Sequence, residues 1–438
     1  MAKVEQNQDL VRKLLRQRGA LSALEITSAL KLKQPTFSRL VSQMTDILTI
    51  GSGRSRVYAL PRSPEPLPIL KIDENSRAVN LGGLHPLLPK GALFFPNEDS
   101  KLKPQFFSDI PFFVWDIRPQ GFLGKIFGRQ NTALKLPDRW EDWKEDDLYR
   151  TLSQRGDDLV GNLIIGRESF ERYQTEGGKT YSHGQRNKIY PQLALESLKG
   201  TFVGSSAGGE QPKFTALIQN GKKFHHVLVK FSPAAKSEAG QRWADLLIAE
   251  HTALSLLNEN GFLAVKTEIL ECGDQVFLEV ERFDRVGIGG RRGILSLGSI
   301  DDEFVGQRNS WTQTGKKLFD QKQISKRDFE SITHLDCFGA LIANTDRHFG
   351  NLSLYWDFGQ KNFSLAPIYD MLPMLYAPIQ GNLVTRDFKV PIAEIEQIPH
   401  WQAAKKLALE FWSRLSQDKT ISSEFQKIAK ANLKIVSG

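Results

Sequence analysis

The sequence predicts a mixed α+β protein of several domains. A small basic head is followed by a short α+β segment and a two-lobed body, strand-containing first and helical last. Three observations lead there. At 438 residues the chain is too long for a single core. Its charge is concentrated: residues 1–62 hold eleven Lys and Arg against Glu5, Asp9, Glu25 and Asp46, which is +7 of the net +8. Strand-like runs at 225–230 and 276–284 flank a helical stretch, and helical segments dominate from residue 332 onward.

The composition, 40% apolar and 25% charged, is that of an ordinary soluble protein. No apolar run approaches the roughly 18 residues of a membrane span, and the N-terminus has no apolar signal region. Cys272 and Cys337 are too few for a disulfide framework or a zinc site, so reduced thiols in a cytoplasmic protein are expected.

The head begins with a helical stripe, Leu10, Val11, Leu14 and Leu15, that Gly19 ends. Ser22 and Glu25 form a capping box for a second helix through Leu30. A basic turn leads to a third helix, Gln34 to Met44, with Pro35 in its first turn. Phe37, Leu40, Val41 and Met44 form its inner face; Gln34, Thr36, Ser38, Arg39 and Gln43 form a hydrogen-bonding outer face. This is a helix-turn-helix pattern, in which the last helix reads the major groove of DNA. Strands at 47–50 and 57–60 follow, and the tip between them carries Arg54 and Arg56, suited to phosphate or minor-groove contact. Residues 1–62 therefore read as a winged helix that binds DNA. The proline-rich segment 61–68 reads as a stiff, extended linker.

Residues 69–160 read as a small α+β subdomain with strands at 69–72, 92–95 and 112–115. The stretch 118–124 is loop-like, and 157–161 opens another strand. No catalytic constellation occurs there. Gly204-Ser205-Ser206-Ala207-Gly208-Gly209 differs: small residues let backbone amides form a nest for a phosphate. It lacks the spacing of a Walker loop. The strand 225–230 ends in Lys230, which could reach nucleotide phosphates, and a helix from Ala244 to Leu257 carries Glu250 twenty residues later. That is the strand-lysine to helix-glutamate spacing of a protein-kinase first lobe. Glu238 is a competing but less well placed partner. The strand 276–284 leaves this lobe where a hinge would meet adenine, with Glu281 and Phe283 at its start.

The helix 332–343 delivers the chain to Asn344-Thr345-Asp346-Arg347-His348-Phe349-Gly350-Asn351, and a hairpin at 352–365 returns it to Tyr369-Asp370. Phosphoryl transfer needs this inventory: a carboxylate, Asp346, to orient a hydroxyl, then an amide and a carboxylate, Asn351 and Asp370, to hold Mg²⁺. Glycine-rich loop, lysine, glutamate, hinge, Asp-x4-Asn and metal Asp occur in order. The fold expected is thus a bilobal protein-kinase-like one, first lobe 161–315 and helical lobe 316–438. His348 reads as a structural hydrogen-bonding residue, His225 and His226 lack a third metal ligand, and the stripe Trp401, Ala404, Leu407, Ala408 and Phe411 reads as core.

The motifs Ser205-Ser206-Ala207-Gly208…Gln211-Pro212-Lys213, Glu281-Arg282-Phe283-Asp284-Arg285 and Asp346-Arg347-His348-Phe349-Gly350-Asn351, with Tyr369-Asp370, resemble those of HipA-type serine/threonine kinase toxins. The likeness runs from residue 69 to the end, and the fused head is similar to the YjjJ type within that family. The resemblance implies ATP and Mg²⁺ as cofactors, Asp346 as catalytic base, Asn351 and Asp370 as metal ligands, and Lys230 on the ATP phosphates. It also implies Glu281 and Phe283 beside adenine and inactivating autophosphorylation of Ser205 or Ser206. Family substrates include aminoacyl-tRNA synthetases, and family toxins normally receive their helix-turn-helix from a separate antitoxin, whereas this chain supplies one itself. Two other readings fit parts of the sequence: a transcriptional regulator with a sensory kinase-like body, and a Mg²⁺-dependent enzyme acting on DNA.

Overall fold

The computed structural model describes residues 2–199 and 211–438. The head contains α1 (Ala2–Arg18), β1 (Leu21–Ser22), α2 (Ala23–Leu30), α3 (Gln34–Val41), β2 (Leu48–Ile50) and β3 (Val57–Pro61). Gly19 takes φ +88° after α1. The capping box forms as the sequence predicts, with the Glu25 amide donating to Ser22 Oγ at 3.3 Å and the Ser22 amide to Glu25 Oε2 at 2.7 Å. Val11, Leu15, Ile26, Phe37, Leu40, Met44, Ile47, Tyr58 and Leu60 make the core. Gln34, Thr36, Ser38, Arg39, Gln43 and Arg56 are exposed. Helix α3 stops at Val41, shorter than expected, so Gln43 lies in the turn beyond it.

The expected linker is not one. Strand β3 runs into the middle sheet, where Leu60 and Pro61 pair with Leu88 and Leu87 of β5 (Ala78–Leu88). Ala59, Leu87 and Leu93 form a small shared core with Ala20, Leu48, Ile50 and Phe95 around it. Arg62 fastens the joint: its amide donates to Pro86 O at 2.8 Å, and its guanidinium bonds Glu145 at 2.8 Å and Asp146 at 2.7 Å. The prolines signal only a short bend before β4 (Leu67–Ile72), because a proline at a sheet edge still offers its carbonyl to a neighbour. Native trypsin should therefore spare the Arg62–Ser63 bond. Cleavage there as fast as in the unfolded chain, followed by mass spectrometry, would refute the docked head.

The middle sheet adds β6 (Ala92–Pro96), β7 (Gln105–Phe107) and β8 (Leu163–Ile165), eight strands among the described residues. Two expectations fail here. Residues 112–115 are not a strand but part of α4 (Phe112–Ile117), and 118–124 is not all loop, because α5 (Gly121–Gln130) begins within it. A short apolar run has no readable period; tertiary packing decides, with Phe113 stacked at 6.0 Å on Trp356 and Phe112 edge-on at 5.6 Å to Phe304. Nor does 157–161 open a strand; β8 starts two residues later. Helices α6 (Glu145–Arg155) and α7 (Arg167–Thr175) complete this layer.

The first lobe of the body is a five-stranded sheet ordered β12-β13-β11-β10-β9. Its strands are β9 (Thr180–Ser182), β10 (Lys213–Asn220), β11 (Lys223–Phe231), β12 (Thr267–Cys272) and β13 (Gln275–Glu281). Helix α8 (Arg186–Leu198) seals one face through Tyr190 and Ala194 over Phe214, Ala216, Ile218, Val227, Val229 and Phe231. Helix α9 (Glu238–Glu259) covers the other face. A short hairpin, β14 (Arg285–Val286) and β15 (Gly290–Arg291), leads to β16 (Ile294–Ser296). The second lobe comprises α10 (Leu297–Phe304), α11 (Trp311–Asp320), α12 (Lys326–Leu341), α13 (Ile398–Gln417) and α14 (Ser423–Ser437). Strands β17 (Ser353–Tyr355) and β18 (Ser364–Leu365) form the expected hairpin and join β16. One core runs from Phe94 and Phe113 through Leu247 to Phe338, Phe411, Trp412 and Phe425. Ala404, Leu407 and Ala408 are buried in it as expected, with Trp401 partly buried. Among the described residues no helix is long and apolar enough to cross a membrane.

Candidate active site

Strand β11 places Lys230 at its end, on the face turned to α9. The ammonium bonds Glu250 Oε1 at 2.6 Å and Oε2 at 2.7 Å, and also Asp370 Oδ1. Lys230 is 4% exposed and Glu250 is fully buried. Glu238, the alternative, sits at the first residue of α9, three turns away from Glu250. Burial alone would discharge this lysine; the Asp370 and Glu250 charges outweigh it and hold its pKa above the usual lysine value. One cation shared between two carboxylates cannot fully compensate both. Burial pushes the Glu250 carboxyl up despite Lys230, while Asp370, whose side chain keeps some exposure, is held down by Lys230 and Lys213.

Helix α12 ends at Leu341, and the loop beyond it is fixed by its own polar groups. Asn344 joins two segments: its Oδ1 accepts the Asp346 amide at 3.0 Å, and its Nδ2 donates to the Asp370 carbonyl at 3.2 Å. Asn351 Nδ2 donates to the Asp346 carbonyl at 2.7 Å. Arg347 Nε reaches the buried Asp336 at 3.2 Å, and Asp336 is bonded in turn by Thr312 and Gln397. His348 takes the structural role expected, its Nδ1 accepting the Gly350 amide at 3.0 Å. Tyr369 donates to Gly350 O at 2.6 Å. Asp370 itself has φ +54°, a conformation that Asp tolerates better than most side chains.

Asp346, by contrast, is exposed. Desolvation there, opposed by His348 and reinforced by the Asp370 charge, moves its pKa above the ordinary aspartate value. The structure thus brings Lys230, Glu250, Asp346, Asn351 and Asp370 to one place. Phe283 joins from the side, 5.8 Å from the ring of Tyr369. Glu281, the last residue of β13, faces His225 at 3.8 Å instead. The neighbours of Phe283 in sequence form a buried lock: Asp284 accepts from Arg282 at 3.0 Å, from Arg285 at 2.6 Å and from the Gly161 amide at 3.1 Å. These guanidiniums hold the Asp284 carboxyl far below its usual range against the cost of burial. The lock ties the segment after β13 to the middle subdomain, where Arg285 also reaches Asp158 at 3.1 Å.

Comparison with known proteins decides the family. A model of the HipA-like C-terminal domain matches residues 205–434, and one of the YjjJ-like toxin middle domain matches 63–174. The chain is 36% identical over 420 residues to Toxin YjjJ of Escherichia coli (strain K12), covering 94% of each. The chain belongs to the HipA-type toxin family. In fold it is similar to a chain of the Shewanella oneidensis MR-1 HipA, HipB and operator DNA complex, at TM-score 0.53 and 14% identity, covering 84% of this chain and 95% of that one.

Within this HipA-type chain the residues Gly204, Ser205, Ser206, Ala207, Gly208 and Gly209 lie outside the described residues. Of the head residues, Gln34, Thr36, Ser38, Arg39, Gln43 and Arg56 are exposed, while the Arg54 side chain lies outside what the structure describes. Sequence reasoning missed Asn344 and Lys213. Asn344 had a legible signal, an amide two residues before the candidate base; Lys213 stands in the Gln211-Pro212-Lys213 motif, but only strand register sets it opposite Lys230. The donor set suits Mg²⁺: oxygens of Asp370 and Asn351, hard ligands few in number. Among the described residues no group of three or more His, Cys, Asp or Glu could hold a metal ion.

Proposed function

We propose that this chain is an ATP- and Mg²⁺-dependent serine/threonine protein kinase with a toxin-type, growth-limiting role, carrying its own DNA-binding head. The observation that carries the reading is Lys230, held between Glu250 and Asp370 beside a loop that presents Asp346 and Asn351. Lys230 would grip the nucleotide phosphates, and Phe283 would cover adenine. Asp346 accepts the hydrogen bond of a substrate Ser or Thr hydroxyl, aims its oxygen at the γ-phosphorus and takes up the hydroxyl proton. The new O–P bond forms as the bond to the β-phosphate oxygen breaks, and ADP leaves. Mg²⁺, held by Asn351 and Asp370, would supply charge neutralisation on the phosphates. The substrate would be a protein of the translation machinery, such as an aminoacyl-tRNA synthetase.

Autophosphorylation of Ser205 or Ser206 would add about −1.5 to −2 charges to the phosphate-binding loop and repel ATP. In the head, α3 and the tip residues Arg54 and Arg56 would contact an operator. A toxin with its helix-turn-helix built in depends less on a separate antitoxin for repression. Incubation with γ-labelled ATP and Mg²⁺ tests the kinase: wild type should label itself at Ser205 or Ser206, and Asp370→Asn should not. No label together with no nucleotide binding would favour a regulator with a sensory body. For the head, Arg39→Ala with Arg56→Ala should weaken DNA retention and flatten its salt dependence by up to about two logarithmic units per decade of salt.

A further inference from the structure

We propose that the apolar stretch from Val390 to Pro399 receives the protein substrate, taking an aliphatic or aromatic side chain a few residues from the Ser or Thr that is phosphorylated. The assignment rests on the kinase reading above and adds to it the sequence class of the substrate. Isoleucine is among the residue types most often buried, yet Ile392 is 96% exposed, Ile395 82% and Ile398 61%. Val390 and Pro391 beside them are exposed as well. Side chains this exposed add almost nothing to the core of the chain that carries them. A contiguous exposed apolar patch marks a place where another surface is received.

The backbone under these side chains is pinned. Glu394 Oε2 accepts from Ser310 Oγ and from Gln313 Nε2, each at 3.1 Å, and the Glu394 amide donates to Gln397 Oε1 at 3.0 Å. Gln397 is buried and donates through Nε2 to Asp336 at 3.1 Å. Both anchors lead to the candidate base. Asp336 also holds Arg347, the residue after Asp346. Trp311, next to Ser310, donates through its indole to the carbonyl of His348, the residue after that, at 3.3 Å. The stretch is thus tied by two routes to the residues that follow Asp346. The nucleotide residues Lys230, Glu250 and Phe283 come from the first lobe and the strand leaving it, whereas this patch belongs to the helical lobe; it serves the acceptor. An extended chain advances about 3.3 Å per residue, so a polypeptide whose hydroxyl reaches Asp346 meets the patch within about five residues. Isoleucines, stiff at χ1, lose little freedom when they are covered.

The test uses the full chain, labelled ATP and synthetic Ser and Thr peptides in which one flanking position is varied at a time. Wild type should prefer Leu, Ile, Val or Phe over Ser at one fixed flanking position, by about tenfold or more in kcat/KM. Ile392→Ser with Ile395→Ser should flatten that preference, with Tm and Mg·ADP affinity near wild type. Ile392→Val with Ile395→Val should keep most of it. No preference in wild type, or one that survives the serine pair, overturns the assignment and leaves the kinase reading intact. So does a wild type that labels itself but no peptide. A wild-type dimer that the serine pair dissolves would show that a second copy covers the patch, and it too overturns the assignment. A wild type that labels neither itself nor any peptide overturns both.

Discussion

Asp346→Ala should lower phosphoryl transfer by a factor on the order of 10²–10⁴ while leaving the fold and nucleotide affinity in place. The loop is held by other atoms: the Asp346 amide on Asn344, its carbonyl on Asn351, and Arg347 on Asp336. The carboxylate itself is exposed, so removing it deletes chemistry rather than support. Initial rates at saturating ATP, beside a thermal melt, make the measurement. A variant that transfers phosphate at the wild-type rate would sink the base assignment. The same group predicts a pH dependence. Its pKa lies above the ordinary aspartate value of about 3.9, raised by desolvation with the Asp370 charge adding to it. A base works ionised, so the rate should fall on acidification earlier than an unperturbed aspartate would allow, and rise to a plateau at neutral pH.

Lys230→Met should have the largest effect on stability. It strips the cation from a fully buried carboxylate and from Asp370 together; breaking a buried pair from one side costs about 3–5 kcal/mol. Nucleotide affinity should also fall at least tenfold, about 1.4 kcal/mol. The stability loss carries a pH signature. Glu250 already has a raised pKa in the folded chain, and without Lys230 it rises further. A raised folded pKa means that the folded state binds the proton more tightly. The penalty is therefore absent below the unfolded glutamate value of about 4.3 and grows as pH rises through the folded one. Denaturant midpoints should show a smaller gap between variant and wild type at pH 5 than at pH 7.5. Adding Glu250→Leu should restore stability at neutral pH, since an apolar pair replaces an uncompensated charge, but not nucleotide binding. A gap independent of pH would place the destabilisation elsewhere.

The site was legible wherever it depends on local order. Asp346 and Asn351 belong to one loop, so their spacing alone implies proximity. Lys230 and Glu250 sit on a strand and the next helix, a short-range pairing that spacing also captures. Asn344 could have been read in the same way, because an Asn or Asp side chain bonding the amide two residues on is a local turn motif. The head was legible through its capping box and apolar stripes, but its attachment was not. Pro61 through Pro68 reads as a linker in any window, and only the pairing of Leu60 with Leu88 shows the chain re-entering a sheet. The run Phe112–Trp115 failed for a related reason: four apolar residues satisfy either period, and the rings of Trp356 and Phe304 decide between them.

The amino-acid order by itself determined the family, the set of candidate site residues and the placing of charge in the first 62 residues, since each is a matter of which side chains occur and at what spacing. Only the tertiary structure decided that the head shares a core with the middle sheet, that Arg282, Asp284 and Arg285 lock the segment after β13, and that Lys213 stands opposite Lys230. Those are contacts between distant segments, fixed by strand register and by which buried charges can find a partner. Such choices are made by the free energy of the packed whole, which no local window of sequence contains.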